Sequence, residues 1–228
     1  MRFDSGQAAV EAAIVLPAAI FLLLCTIQLA QLQQARIMAG YAAFNAARTG
    51  IVRNADNGAT GGVADGSMRD AAILSILPTY GRTDSFAAVA KTLAAFTLRD
   101  VPLRASGLGA IRVHVSSPRR ADFSRFGHHL DGRELDFDDV RPDAADAGLL
   151  SVQVRYLYEL RVPFANKFIH GLWVARQRGS PRGDDGTPEG IDLGALALAA
   201  RQGRYLLPLQ AFYTMRMQSN PFAKWAAP

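Results

Sequence analysis

Cysteine is nearly absent. The 228 residues hold one, Cys25, so no disulfide can close within the chain, and cysteine usage leaves the redox compartment open. Catalytic signatures are missing as well: there is no G-x-S-x-G, no H-E-x-x-H, no Walker-type phosphate loop and no glycine-rich dinucleotide fingerprint. Neither His114 nor His170 has a Ser, Cys or acid at a catalytic spacing. No enzyme activity and no cofactor are therefore expected. Arg and Lys outnumber the acids for a net charge of +5, but they are spread along the chain. Arg119-Arg120 and the trio Arg176, Arg178 and Arg182 are the densest groups, and they read as solvated loop charge, so nucleic acid is not an expected partner. Charge is absent altogether from Ala12 to Cys25 (AAIVLPAAIFLLLC).

That uncharged run dominates what is present. A spanning helix needs about 20 mostly apolar residues to cross about 30 Å of hydrocarbon. Ala12 to Ala30 supplies 19 positions, interrupted only by Thr26 and Gln28. The apolar phase continues on a helical period through Leu29, Leu32, Ile37, Tyr41 and Phe44, with Ala42, Ala43, Ala46 and Ala47 as filling, until Thr49-Gly50 gives a stop signal. One helix from about residue 8 to about residue 50 is expected, roughly 60 Å long. Gln31, Gln33, Gln34, Arg36, Asn45 and Arg48 make its polar side. Pro17 invites a bend, and Gly40 permits close helix packing. A cleavable secretory signal fits less well, since the only basic residue ahead of the run is Arg2 and no A-x-A site follows it. A lipoprotein site at Cys25 is disfavoured by the preceding Leu24.

At the head of the run stands Gly6-Gln7-Ala8-Ala9-Val10-Glu11, a glycine followed five positions later by a carboxylate. A charge at the centre of a spanning helix costs roughly 2.5 to 3.5 kcal/mol, less near the interface, so Glu11 calls for a partner. The segment AAVEAAIVLPAAIFLLL, followed by QQARIMAGYAAFNAARTG, resembles the TadE/TadG-like minor pilins of tight-adherence (Tad, Flp) type IV pilus systems, over about the first 50 residues. Ala12 stands where such proteins commonly carry an aromatic. The resemblance implies cleavage after Gly6 by a prepilin peptidase, Gln7 as the mature N-terminus, and pairing of Glu11 with the terminal ammonium of a neighbouring subunit. It further implies partners among other pilins or pseudopilins and an inner-membrane assembly platform. The chain would be single-pass in the bacterial inner membrane with its head outside the cytoplasm, and would enter a surface pilus. Ile14, Leu16, Ile20, Leu23 and Ile27 are the expected helix-packing residues, in contact with the lipid bilayer before assembly.

Behind the helix, NADNGATGGVADGS from Asn54 to Ser67 is too polar for a core and reads as a linker. Ser67, with Asp70 three positions on, reads as the cap of a short helix ended by Pro78 to Gly81. A second helix starts at Asp84 or Ser85 and runs to about Leu98. The period then changes. Ile111, Val113 and Val115 alternate with Arg112, His114 and Ser116, and Val152 to Val162 repeats the alternation for longer. A third strand is expected over Tyr205 to Gln218, where Pro208 favours an edge. Short helices are expected at about Asn166 to Arg176 and Leu193 to Arg201, separated by a Gly/Pro/Asp-rich loop. The stretch RYLYELRVPFANKFIHGLW again resembles the TadE-like pattern. The expected fold is α+β: a long N-terminal helix and a head with short helices and a small antiparallel sheet of about three strands. Its segments are a leader at 1–6, the helix at 7–53, a linker at 54–67 and the head at 68–228.

The acidic-histidine stretch His128 to Asp139 fits neither an EF-hand nor a histidine-zinc spacing and reads as a solvated connecting loop, so no metal is expected. Arg182-Gly183-Asp184 reads as a turn, and the aromatic C-terminus with Phe212, Tyr213, Phe222 and Trp225 as core and packed tail. The expected function is that of a minor pilin or pseudopilin in pilus biogenesis, adhesion or associated secretion. The alternative is an uncleaved single-pass anchor presenting a binding or sensory domain.

Overall fold

The computed structural model describes residues 4–52, 66–127, 130, 132–139, 141, 144, 146–179 and 192–223. Outside them lie most of the expected linker, His128, His129 and Asp131, the Arg182-Gly183-Asp184 tripeptide and Trp225.

Helix α1, Asp4–Val52, is longer at both ends than its periodicity predicts and continues through Pro17. Thr49 does not stop it. Its hydroxyl donates to the carbonyl of Asn45 at 2.9 Å, one turn back, which keeps a residue that otherwise competes with the helix inside it. Helix α2, Ser67–Ile76, is capped by Gly66 and not by Ser67, which is its first helical residue; the Asp70 amide donates to the Gly66 carbonyl at 3.0 Å. Leu77–Thr79 closes it as a single 3-10 turn around Pro78. Helix α3, Phe86–Ala105, starts at the expected cap, where the Ser85 hydroxyl accepts from the Ala88 amide. It overruns the expected end by two turns, past Pro102. Asp100 explains the overrun: buried at the end of α3, it accepts from the Ala110 amide at 2.6 Å and from Arg69 of α2 at 2.9 Å. Tertiary bonds thus hold a turn that propensity alone would release.

Helix α4, Arg120–Phe126, was not anticipated from periodicity. It is set locally, by the Asp122 carboxylate accepting from the Arg119 amide at 2.7 Å. Helices α5, Ala165–Gly179, and α6, Leu193–Arg201, fall where expected, the latter capped by Asp192.

Strands β1 (Ile111–Ser117), β2 (Leu149–Glu159) and β3 (Leu206–Arg216) form one antiparallel sheet in the order β1-β2-β3. Ile111 pairs with Tyr156 and Val115 with Val152, and the register shifts between Val115 and Ser117. The α+β architecture is the one expected. Pro208 lies in an edge strand, where its missing N–H breaks no ladder on the open side. The expected alternation of β2 fails from Val154 to Tyr158, all buried, because this central strand is covered on both faces. The acidic-histidine stretch is not wholly a solvated loop. Leu135 is buried with Phe123 and Ala147, and its amide donates to the Pro221 carbonyl.

The chain forms two compact units. One contains residues 1–34 and 158–207; the other contains 35–157 and 208–228. The second holds most of the apolar core, built from Ile73, Ile76, Leu77, Phe96, Ile111, Leu150, Val154 and Tyr156, with Tyr80 edge-on to Phe96.

Candidate membrane and assembly helix

Helix α1 carries all the residues singled out for processing and assembly, and its two parts differ. From Ala9 onward it is long and apolar enough to cross a membrane, and none of the most apolar window is buried. Gly6 and Gln7 lie in its first turns. Glu11 is exposed, as are Ile14, Leu16, Ile20, Leu23 and Ile27. At 3.6 residues per turn, Leu16, Ile20, Leu23 and Ile27 share about 60° of arc. Ile14 is not brought together with them; it points to the opposite side of the helix.

The least exposed positions in this part are Leu24, Cys25, Gln28 and Leu32. Gln28, fully buried, accepts from the Val162 amide at 2.8 Å, so a polar residue inside an apolar run is spent on the loop that leads into α5. Phe21 meets Phe168 of α5 edge to face, with centroids 5.4 Å apart. In the same unit burial pushes the Tyr158 phenol up, against the opposing charge of Arg161, and pushes the His170 imidazole down. Neither Gln28 nor this contact was singled out from sequence. The signal was there: Gln28 is the one amide within Ala12 to Ala30.

In the second part the polar side lies outside as expected, at Arg36 and Arg48, but the buried side is not the expected one. Of the residues read as the apolar side, Ile37 and Tyr41 are exposed, as is Leu29 before them, while Leu32 and Phe44 are half-buried; the filling Ala42, Ala43, Ala46 and Ala47, together with Ala35 and Ala39, is the buried face and has no exposed surface. Small side chains let backbones approach closely. A Cβ on Gly50 would come within 2.6 Å of Leu150 Cδ2 and 2.8 Å of Met68 Cε, so Gly50 is a packing position and not a helix stop. A Cβ on Gly40, in contrast, would meet nothing within 4 Å, so no close packing inside the chain requires that glycine. Asn45, assigned to the polar side, is half-buried and donates to Ser75 of α2 at 2.8 Å. Phe44 packs edge-on against Tyr213 of β3, and Ser219 donates to the Ile51 carbonyl at 3.2 Å. In the same unit Arg155 of β2 is buried opposite Arg112, and burial together with that charge lowers its guanidinium to about 10.

Among the described residues, no three His, Cys, Asp or Glu side chains gather in a way that could hold a metal ion. A helix with the length and composition of a membrane anchor, the one such helix among the described residues, followed by a three-stranded α+β fold, is the class the structure suggests. Residues 6–48 match the TadE-like protein family, a span that includes Gly6, Glu11 and α1 as far as Arg48. Among curated proteins and solved structures nothing matches the chain.

Proposed function

We propose that this chain is a TadE/TadG-like minor pilin or pseudopilin of a Tad-type pilus, cut after Gly6 by a prepilin peptidase and active in assembly without catalysis of its own. The observation that carries the reading is the family match from residue 6 to residue 48, which begins at the glycine of the proposed cut and contains Glu11. The exposed Leu16, Ile20, Leu23 and Ile27 face supports it, being an apolar surface available first to lipid and then to a neighbouring pilin helix. Glu11 would exchange water or headgroup contacts for the new terminal ammonium of another subunit, offsetting the cost of burying its charge. The inner-membrane assembly platform is the third expected partner.

The test is N-terminal sequencing of protein extracted from membranes of cells that contain the peptidase. A chain beginning at Gln7 is expected, and one still beginning at Met1 would sink the proposal in favour of an uncleaved anchor. The companion variant is Glu11→Ala: normal membrane insertion with loss of the chain from sheared surface filaments is expected, whereas unchanged incorporation would remove Glu11 from the mechanism.

A further inference from the structure

Helix α5 exposes a face that a water-facing helix would not carry. Phe168 and Leu172 are 55% and 65% exposed, and Phe164, immediately before the helix, is 71% exposed. Gly171 and Ala175 are exposed beside them. At 3.6 residues per turn, Phe168, Gly171, Leu172 and Ala175 fall within about 100° of arc. Lys167 lies on one flank of that arc and Arg176 on the other, both exposed. The opposite side of the helix is fixed to its own unit. His170 is buried there, and its Nδ1 sits 3.1 Å from the Leu206 carbonyl.

A contiguous apolar face of this size marks an interaction surface, and two observations say what covers it. The first is continuity with the anchor. Phe168 meets Phe21 edge to face, and Phe21 lies in the middle of the uncharged run of α1, with Ala30 about 14 Å farther along the helix axis. If the run from Ala12 to Ala30 sits in hydrocarbon, a side chain that touches Phe21 reaches below the membrane boundary, into the hydrocarbon. The carboxamide oxygen of Gln28, farther along that run, accepts from the Val162 amide, and the residue has no exposed surface to present to lipid. The second observation is charge. From Arg161 to Gly179 the sequence carries Arg161, Lys167, Arg176 and Arg178 and not one Asp or Glu, a distribution suited to lipid phosphates and to long cationic side chains that keep their heads at the interface.

Phe164 adds a supporting detail. Its φ of 64° is in the left-handed region, and it is the one non-glycine residue there among the described residues. For a bulky side chain this conformation is strained. That strain is compatible with a residue held at a surface it serves.

We propose that α5 is an interfacial membrane helix whose Phe164, Phe168 and Leu172 enter the hydrocarbon beside α1, Phe168 reaching down toward Phe21, with Lys167 and Arg176 at the phosphates. The chain would then hold the bilayer by two elements, one crossing it and one lying on it. The inference rests on α1 crossing the membrane, and its test separates the two claims.

Full-length protein carrying Cys25→Ala and one new cysteine, Leu16→Cys, Phe168→Cys or Leu172→Cys, is labelled with an environment-sensitive dye. It is then reconstituted in phosphatidylcholine/phosphatidylglycerol vesicles with or without a nitroxide high on the acyl chain. For a face buried about 5 to 10 Å into the boundary, about twofold or greater quenching is expected at 168 and at 172. The Leu172→Cys site keeps the test sound should loss of the Phe21 contact disturb α5. Quenching at 16 with free-dye emission at 168 and 172 would overturn the interfacial helix and leave the span intact. Blue-shifted but unquenched dye at 168 and 172 would show that protein, such as a second copy, covers the face, and would also overturn it. Absence of quenching at 16 would remove the span and the proposal with it.

Discussion

The two parts of α1 use opposite kinds of side chain for opposite ends. In the first, large residues such as Leu16, Ile20, Leu23 and Ile27 face outward, and the helix meets the rest of its unit through Phe21 and Gln28. In the second, the face that folds the chain is alanine and glycine, and the large residues Ile37 and Tyr41 are left outside. Buried alanine gains little from leaving water, about 0.8 kcal/mol per CH2-sized group, so its value there is geometric. It brings the backbone of α1 close enough for Met68 and Leu150 to reach it at Gly50. One continuous helix can therefore be an anchor over part of its length and a core helix over the rest, and residue size, not hydrophobicity alone, tells the two apart.

The largest expected effect tests how firmly the body around the second part is built. Asp100 is buried between Arg69 and the Ala110 amide. Removing one partner of a buried ion pair costs about 3 to 5 kcal/mol. Asp100→Ala should lower the unfolding free energy of the detergent-solubilised full-length protein by that amount in urea titration. Asp100→Asn should lose less, because its amide oxygen still accepts from Ala110. A loss under 1 kcal/mol for the alanine variant would show that the α3 end is held by something else.

The next effect tests the contrast directly. Ala43 has no exposed surface, and Ala13 is exposed. Ala43→Leu overpacks a closed face and should cost about 1 to 3 kcal/mol. The same change at Ala13 should stay within about 0.5 kcal/mol. Equal losses at the two sites, by the same titration, would break the comparison.

Much of this fold was legible because its signals are local. The uncharged run from Ala12, the alternation at Ile111 to Val115 and the Ser85 cap each depend on neighbours in sequence, and each element formed close to its expected place. The errors have non-local causes. Asp100 extends α3 through a bond to a residue of α2, and β2 loses its alternation because residues on both of its faces are buried in the tertiary fold. The buried face of α1 was misread for a related reason. Helical periodicity ranks residues by hydrophobicity, so Ile37 and Tyr41 outweighed Ala39 and Ala43, although close approach of other elements favours the small ones. The residues proposed for processing and assembly were legible as a motif, Gly6 to Glu11, whereas the apolar face of α5 was visible only as spacing without an indication of which side would be covered.

The smallest expected effect concerns the unit that contains the first part of α1. His170 is buried with Nδ1 3.1 Å from the Leu206 carbonyl; since a carbonyl only accepts, that nitrogen carries the proton of the neutral ring. Burial lowers its affinity for a second proton below the ordinary value of 6.5, with the bond to Leu206 opposing. The unfolded chain therefore binds the proton first as pH falls. The neutral ring contributes its full stability above about 6.5, and that contribution declines as pH drops through 6.5 toward the folded-state value, by at most about 1.4 kcal/mol per pH unit for a single proton. His170→Gln removes the titrating group and retains an N–H able to donate to Leu206, so its unfolding free energy should fall less than that of the wild type between pH 7.5 and 5.5. Parallel pH profiles for the two proteins would mean that acid reaches this unit through another group, and that its packing around Phe21 and Gln28 does not depend on a neutral imidazole.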